Sequence, residues 1–350
     1  MLITLIVLIF GLHVVLANLG IGLSTVVPLM KRRAEKDGDD ALLAKAKRLM
    51  RFYASTYGLA GVLGTAFTVF LLSFYPDFIG LAGNIAFTPF ALSVLLIALH
   101  FLCIVLYWYG WDKFDPNVHF AIGVTMAISA VLIPLGFRAI FGFLNVPMGL
   151  ELYPKLHLDT LKALSNPTFL ALYPKSILAS YALTFIILAY DDRRFAKLGL
   201  IALTATAILG IVYAETLREL AAYKFNNAIS SPIFFAKMAF VSAQFIALIA
   251  YLKWNSRSCI LAAGAFALTG VFMGEILNAF SQYPYLIVNT SILPENVRVA
   301  LAPIINLAHP NPLTNGLTVI TLAFLIPLLL ASALLIRLVT SEPSPSSRTR

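Results

Sequence analysis

Two histidines stand inside long apolar runs, His13 in LITLIVLIFGLHVVLANLGIGLSTVVPLM and His100 in ALSVLLIALHFLCIVLYWYGW. A neutral imidazole is a standard ligand of haem iron, and an ionisable side chain within a membrane span is a functional-site hypothesis by default. At about 1.5 Å per helical residue, His13 falls roughly 16 Å and His100 roughly 20 Å below the surface where both runs begin, so the two are expected to face a common site. For either one the alternative is a hydrogen bond to a neighbouring helix.

Four charged residues join them. Lys237, beside Met238 in SPIFFAKMAFVSAQFIALIAYLKW, and Glu275, in LTGVFMGEILNAF, come out at similar depth, about 10 to 15 Å from the same surface. An unpaired charge there is costly, so these two are expected to pair. Arg138 and Lys175 lie nearer the rim, where long basic side chains snorkel to the interface. Taken singly they anchor that interface; taken with Lys237 they form a cluster suited to anionic groups such as haem propionates.

Positioning such residues takes rigid helices, and the composition supplies them. Hydrophobic residues make up 60% of the 350 and charged residues 12%, with a mean hydropathy of +0.89, which describes an all-α integral membrane protein. Apolar runs of about 20 residues, the length that spans a bilayer as helix, recur at 2–30, 52–75, 85–109, 119–144, 173–190, 197–217, 229–253, 258–281 and 314–338. Nine transmembrane helices put the termini on opposite sides. The net charge of +9 gathers in alternate turns. The loop 31–51 carries Lys31, Arg32, Arg33, Lys36, Lys45, Lys47, Arg48 and Arg51, and Arg193, Arg194, Lys197, Lys253, Arg257, Arg348 and Arg350 fall on the same side. That asymmetry records orientation, with the N-terminus outside and the C-terminus inside. It gives no support to a nucleic-acid partner.

Residues 1–340 read as one transmembrane helical domain and 341–350, SEPSPSSRTR, as a disordered cytoplasmic tail. The first run is too long for a cleavable signal and lacks a basic n-region, so it stays as a span. Cys103 and Cys259 form no CxxC and read as packing. Small residues on one face of span one (Gly11, Asn18, Gly20, Gly22) and of span two (Gly58, Gly61, Gly64) allow close approach of another helix or a flat ligand. The segment 150–172 reads as a short interfacial helix and a turn, and Glu215, Arg218 and Glu219 as an amphipathic continuation of span six.

Taken together, these segments resemble subunit I of the cytochrome bd quinol oxidases. The likeness is carried by GLHVVLANLGIGL around His13, by YGWDKF with His119 after it, by the run from His119 to NVPMG, and by NPTFLALYPK, PIFFAK and YPYLI. The resemblance implies a multi-pass protein of the plasma membrane, haem b with haem d or another haem type in the complex, membrane quinol, and a partner subunit that is subunit I-like or subunit II-like. By it, His13 takes the place of the axial ligand of an oxygen-side haem. His100 stands where the family has a buried acid beside that haem, as a second iron ligand or a proton-path group, and Lys237 with Glu275 forms the charge pair near the haem edge.

The departures are specific. Lys175 stands where the family has the histidine ligand of its low-spin haem, and the methionine partner would fall near Phe240, with Met238 half a turn away. The family's GR-x-PW motif after span eight reads SQYPY here, and the quinol-binding loop between spans six and seven is short. The function implied is a membrane subunit of a bd-type quinol:dioxygen oxidoreductase. Within it the chain is the divergent partner, holding at most one or two haems, as in archaeal enzymes built from two subunit I-like chains. The alternatives are a haem-free structural subunit of that complex and a proton-coupled transporter whose path is lined by Lys237, Glu275 and His100. The transporter reading lacks the internal repeat such proteins show.

Overall fold

The computed structural model describes residues 2–152 and 156–302. In order the elements are α1 (Leu2–Asp37), α2 (Asp40–Phe74), α3 (Pro76–Gly80), a π-helical turn (Leu81–Ile85), α4 (Phe87–Tyr109), α5 (Pro116–Asn145), β1 (Leu150–Glu151), β2 (His157–Leu158), α6 (Thr160–Leu164), α7 (Pro167–Leu188), α8 (Arg194–Leu220), α9 (Ala222–Ser230), α10 (Pro232–Trp254), α11 (Arg257–Phe280) and α12 (Glu295–Leu301). Among the described residues eight helices are long and apolar enough to cross a membrane: α1, α2, α4, α5, α7, α8, α10 and α11. The ninth expected span, 314–338, and the tail 341–350 lie outside the described residues.

Sequential long helices pack antiparallel in pairs, α1 with α2, α4 with α5, α7 with α8 and α10 with α11, while α1 also touches α5, α7 and α11. The first pair differs from expectation. Residues 31–51 are not a loop, because α1 runs on to Asp37 and α2 starts at Asp40. Lys31–Glu35 at 2.9 Å and Arg33–Asp37 at 3.3 Å support the helix beyond the apolar run. Gly38, at φ +65°, turns the chain, and the Asp39 side chain caps α2 by accepting from Leu42 N at 2.9 Å. The expected interfacial helix in 150–172 is α6; the antiparallel hairpin of β1 and β2 beside it was not expected.

The central core joins Leu23 and Val27 of α1 to Met50 and Tyr53 of α2, Tyr107 of α4, Met126 of α5 and Leu183 of α7. A second cluster, with Phe143, Leu144, Leu158, Ala163, Leu286 and Ile287, closes the end that carries the hairpin. Gly22 shows why α1 can sit at the centre: a Cβ there would collide with the Thr184 side chain of α7.

At the opposite, basic end a lock explains His119. Its Nε2 lies 2.9 Å from the Tyr107 carbonyl, which can only accept, so Nε2 carries the proton and Nδ1 accepts from Lys31 Nζ at 3.1 Å. Lys31 Nζ also donates to the Trp111 carbonyl at 3.0 Å and pairs with Glu35. The turn after α4 is thereby tied to α1 and α5. Replacing His119 with Leu strands the Tyr107 carbonyl and one Lys31 donor, at about 1–3 kcal/mol for each buried group left unsatisfied. We expect a loss of that order for His119→Leu in SDS-induced unfolding of the detergent-solubilised protein.

Candidate cofactor site

α1 carries His13 against α2. Its Nδ1 lies 2.8 Å from the Ala60 carbonyl, which only accepts, so Nδ1 is protonated and Nε2 keeps its lone pair. An imidazole whose Nδ1–H is held by a backbone carbonyl is oriented for metal ligation through Nε2. Gly64 makes this approach possible, since a Cβ there would stand 2.8 Å from the His13 ring. Gly58 and Gly61, on the same helix, have open space beyond them.

His100 is placed differently. Its Nε2 lies 2.5 Å from Tyr53 Oη of α2 and its Nδ1 2.8 Å from Ser129 Oγ of α5, so no ring nitrogen is free for iron. The two histidines also meet α2 at Ala60 and Tyr53, seven residues or about 10 Å apart. They do not converge as their matched depths suggested, because helix tilt and packing, and not position along each run, set the level at which side chains meet.

The charged residues do converge, in an arrangement other than the one expected. Glu275 binds Arg138, not Lys237: Arg138 Nη2 donates to Oε1 at 2.8 Å and Nη1 to Oε2 at 3.5 Å, with the two side chains 9% and 13% exposed. A guanidinium offers two parallel donors to a carboxylate and a lysine only a point charge. Arg138 is therefore buried in an ion pair instead of snorkelling at the rim. Lys237 lies against Gly274, with Nζ 3.6 Å from where a Cβ would be. Lys175 Nζ sits 4.9 Å from the centre of the Tyr213 ring. Met238 is turned outward and exposed. His13, Arg138, Lys175, Lys224 and Lys237 all feel the charge of Glu275.

Lys224 is the member that sequence reasoning missed. It belongs to α9, outside the spans, yet it is 1% exposed. Its Nζ donates to Asn145 Oδ1 at 2.8 Å and to Gln282 Oε1 at 3.0 Å, and Asn145 Nδ2 donates to Tyr213 Oη at 3.2 Å. Burial pushes its amine down to about 7, a shift that Glu275 opposes and Arg138 reinforces. The one signal in the sequence was its place among polar residues in AYKFNN, which reads as a solvated face.

Beside this cluster lies a cavity of about 110 Å³, walled by Phe10, Phe67, Phe78 and Phe141 with Asn278 and Gln282 at its polar end. It is of a size to hold a single aromatic ring, and His13 is not among the residues that line it.

A model of the family described as "Cytochrome bd terminal oxidase subunit I" matches residues 4–197, more than half of the 350. The chain belongs to that family. Members of this cytochrome family generally bind haem, and bd oxidases are multi-subunit membrane complexes. Over 165 residues the chain is 28% identical to the putative cytochrome bd menaquinol oxidase subunit I of Bacillus subtilis (strain 168), a match covering 45% of this chain and 36% of that relative. The fold is similar along almost its whole length to the bd oxidase of Geobacillus thermodenitrificans, with a TM-score of 0.77, 18% identity and 96% of each chain covered. The protein is thus a multi-pass membrane protein with the bd oxidase subunit fold.

Two outcomes follow. Glu275→Gln leaves Arg138 buried without its partner, a defect of about 3–5 kcal/mol, whereas Lys237→Met removes a charge that has no hydrogen-bonded carboxylate among the described residues; SDS unfolding should show the first far more damaging than the second. For Lys224 the folded-state value lies below the unfolded one, so the penalty is fully present below about pH 7 and is relieved as pH rises toward the ordinary lysine range. Unfolding free energy should therefore climb from about pH 7 to 9 in the parent and lose that slope in Lys224→Met.

Proposed function

We propose that this chain is a plasma-membrane subunit of a bd-type quinol:dioxygen oxidoreductase, the divergent partner of a catalytic chain, and that it holds one haem b at His13. The observation that carries this reading is the protonated Nδ1 of His13 on the Ala60 carbonyl, which leaves Nε2 as a free donor. The resemblance of the span-one motif around His13 implies the axial position for it. The bound haem supplies the one-electron chemistry.

The chain's own residues bind and orient it. The Ala60 carbonyl fixes the tautomer and plane of His13. Arg138, locked by Glu275, together with Lys175 and Lys237, would hold the haem carboxylates. Lys175 keeps to Tyr213 and Met238 is exposed, which speaks against a second, low-spin haem between them. Quinol oxidation then belongs to the partner subunit, subunit I-like or subunit II-like. The open glycine face of α2 at Gly58 and Gly61 suits that partner's helix, since the glycines of α1 at Gly11 and Gly22 are already covered by Phe272 and Thr184.

The test is a reduced-minus-oxidised absorption spectrum with pyridine haemochrome quantitation on the purified chain. We expect about one haem per chain, lost in His13→Ala and retained in His100→Ala. Haem content that does not change in His13→Ala overturns the assignment, and no haem in the parent leaves the structural-subunit reading in its place.

A further inference from the structure

His100 has no free nitrogen for iron, but its hydrogen bonds run in a defined direction. Ser129 Oγ donates to the Met126 carbonyl at 3.0 Å, so it turns a lone pair toward His100 Nδ1 at 2.8 Å. With its proton so directed, Ser129 Oγ accepts, so Nδ1 carries the proton and the lone pair of Nε2 faces Tyr53 Oη, which donates to it across 2.5 Å. Tyr53 is 0% and His100 2% exposed. No carboxylate or cation is hydrogen-bonded to either among the described residues; the ring of Tyr57 lies 5.0 Å from that of His100, and Cys103 belongs to the same core cluster as Tyr53.

We propose that Tyr53 and His100 form a proton-coupled one-electron donor. A phenol that gives up an electron must also give up its proton, and in an apolar bundle water cannot take it. Here the acceptor is already in place. Tyr53 would give one electron to a haem-iron oxidant as its O–H bond breaks and its proton moves along the existing hydrogen bond to Nε2, leaving a neutral phenoxyl radical and a His100 imidazolium. The oxidant is reduced by that one electron. When a one-electron reductant refills the phenoxyl, the proton returns to oxygen.

The location supports the role. Tyr53 precedes Ala60, which holds His13, by seven residues on α2, and Gly20, which abuts the Tyr53 ring, follows His13 by seven on α1. Both helices therefore put the phenol about two turns, or about 10 Å, from the proposed ligand. This inference rests on the haem reading above, and its test separates the two.

The purified complex, its haem first quantified by pyridine haemochrome, is treated with hydrogen peroxide to oxidise the iron, freeze-quenched and examined by electron paramagnetic resonance. A tyrosyl signal is expected in the parent. It should fall at least ten-fold in Tyr53→Phe and in His100→Phe while haem per chain stays unchanged. An undiminished signal in Tyr53→Phe, or none in a parent with full haem, overturns the redox role; an undiminished signal in His100→Phe overturns the proton acceptor. If the parent holds no haem, the haem reading fails by itself. Flash oxidation by ruthenium tris-bipyridine with persulfate then decides the pair alone: a phenoxyl signal lost in Tyr53→Phe upholds it, and no such signal overturns it.

Discussion

Every charge carried into a bilayer has to be balanced within the protein, and the hairpin end of this bundle is built around that requirement. Arg138 of α5 and Glu275 of α11 satisfy each other through a two-point contact, which fixes two helices that are far apart in sequence. Around the pair stand Lys175, Lys224 and Lys237, drawn from α7, α9 and α10. Among the described residues Lys224 has only amide oxygens as hydrogen-bond partners. A set of cations that outnumbers the carboxylate acting on all of them either gives up protons or holds anions. Burial draws Lys224 toward the first, and the carboxylates of a bound haem would answer the rest.

Close helix approach is the second requirement, and α1 meets it with small residues. Gly22 lets the Thr184 side chain of α7 lie against the α1 backbone, and Gly64 of α2 receives the ring of His13. Without apolar driving force between helices in lipid, such fits and the hydrogen bonds they permit decide which helices associate. The bonds from Ser180 Oγ to Asn18 Oδ1 at 2.8 Å and between Thr25 and Tyr181 at 2.9 Å extend the same seam along α1 and α7.

The helices and their order were legible because spanning a bilayer demands long apolar runs, and composition records that directly. The extension of α1 and α2 beyond the apolar run was not, since charged residues in water form helix or loop according to i,i+4 pairs such as Lys31–Glu35. At the site, the residue types were legible and their partners were not. Glu275 could be recognised as needing a cation, but choosing Arg138 over Lys237 depends on how α5, α10 and α11 are rotated, which no single run encodes. Lys224 escaped notice because nothing in AYKFNN distinguishes a cation that turns inward from one that stays in water.

The two histidines show how much chemistry depends on that rotation. Both are imidazoles in apolar helices, and both bond to α2. His13 meets a main-chain carbonyl, which takes one nitrogen and fixes the other as a donor to metal. His100 meets a phenol on one side and a hydroxyl on the other, so that both its ring nitrogens are engaged. The difference lies along α2: Ala60 meets His13 with its main-chain carbonyl, and Tyr53, two turns away, meets His100 with its hydroxyl. A single helix therefore gives one histidine a main-chain carbonyl for its partner and the other a phenol.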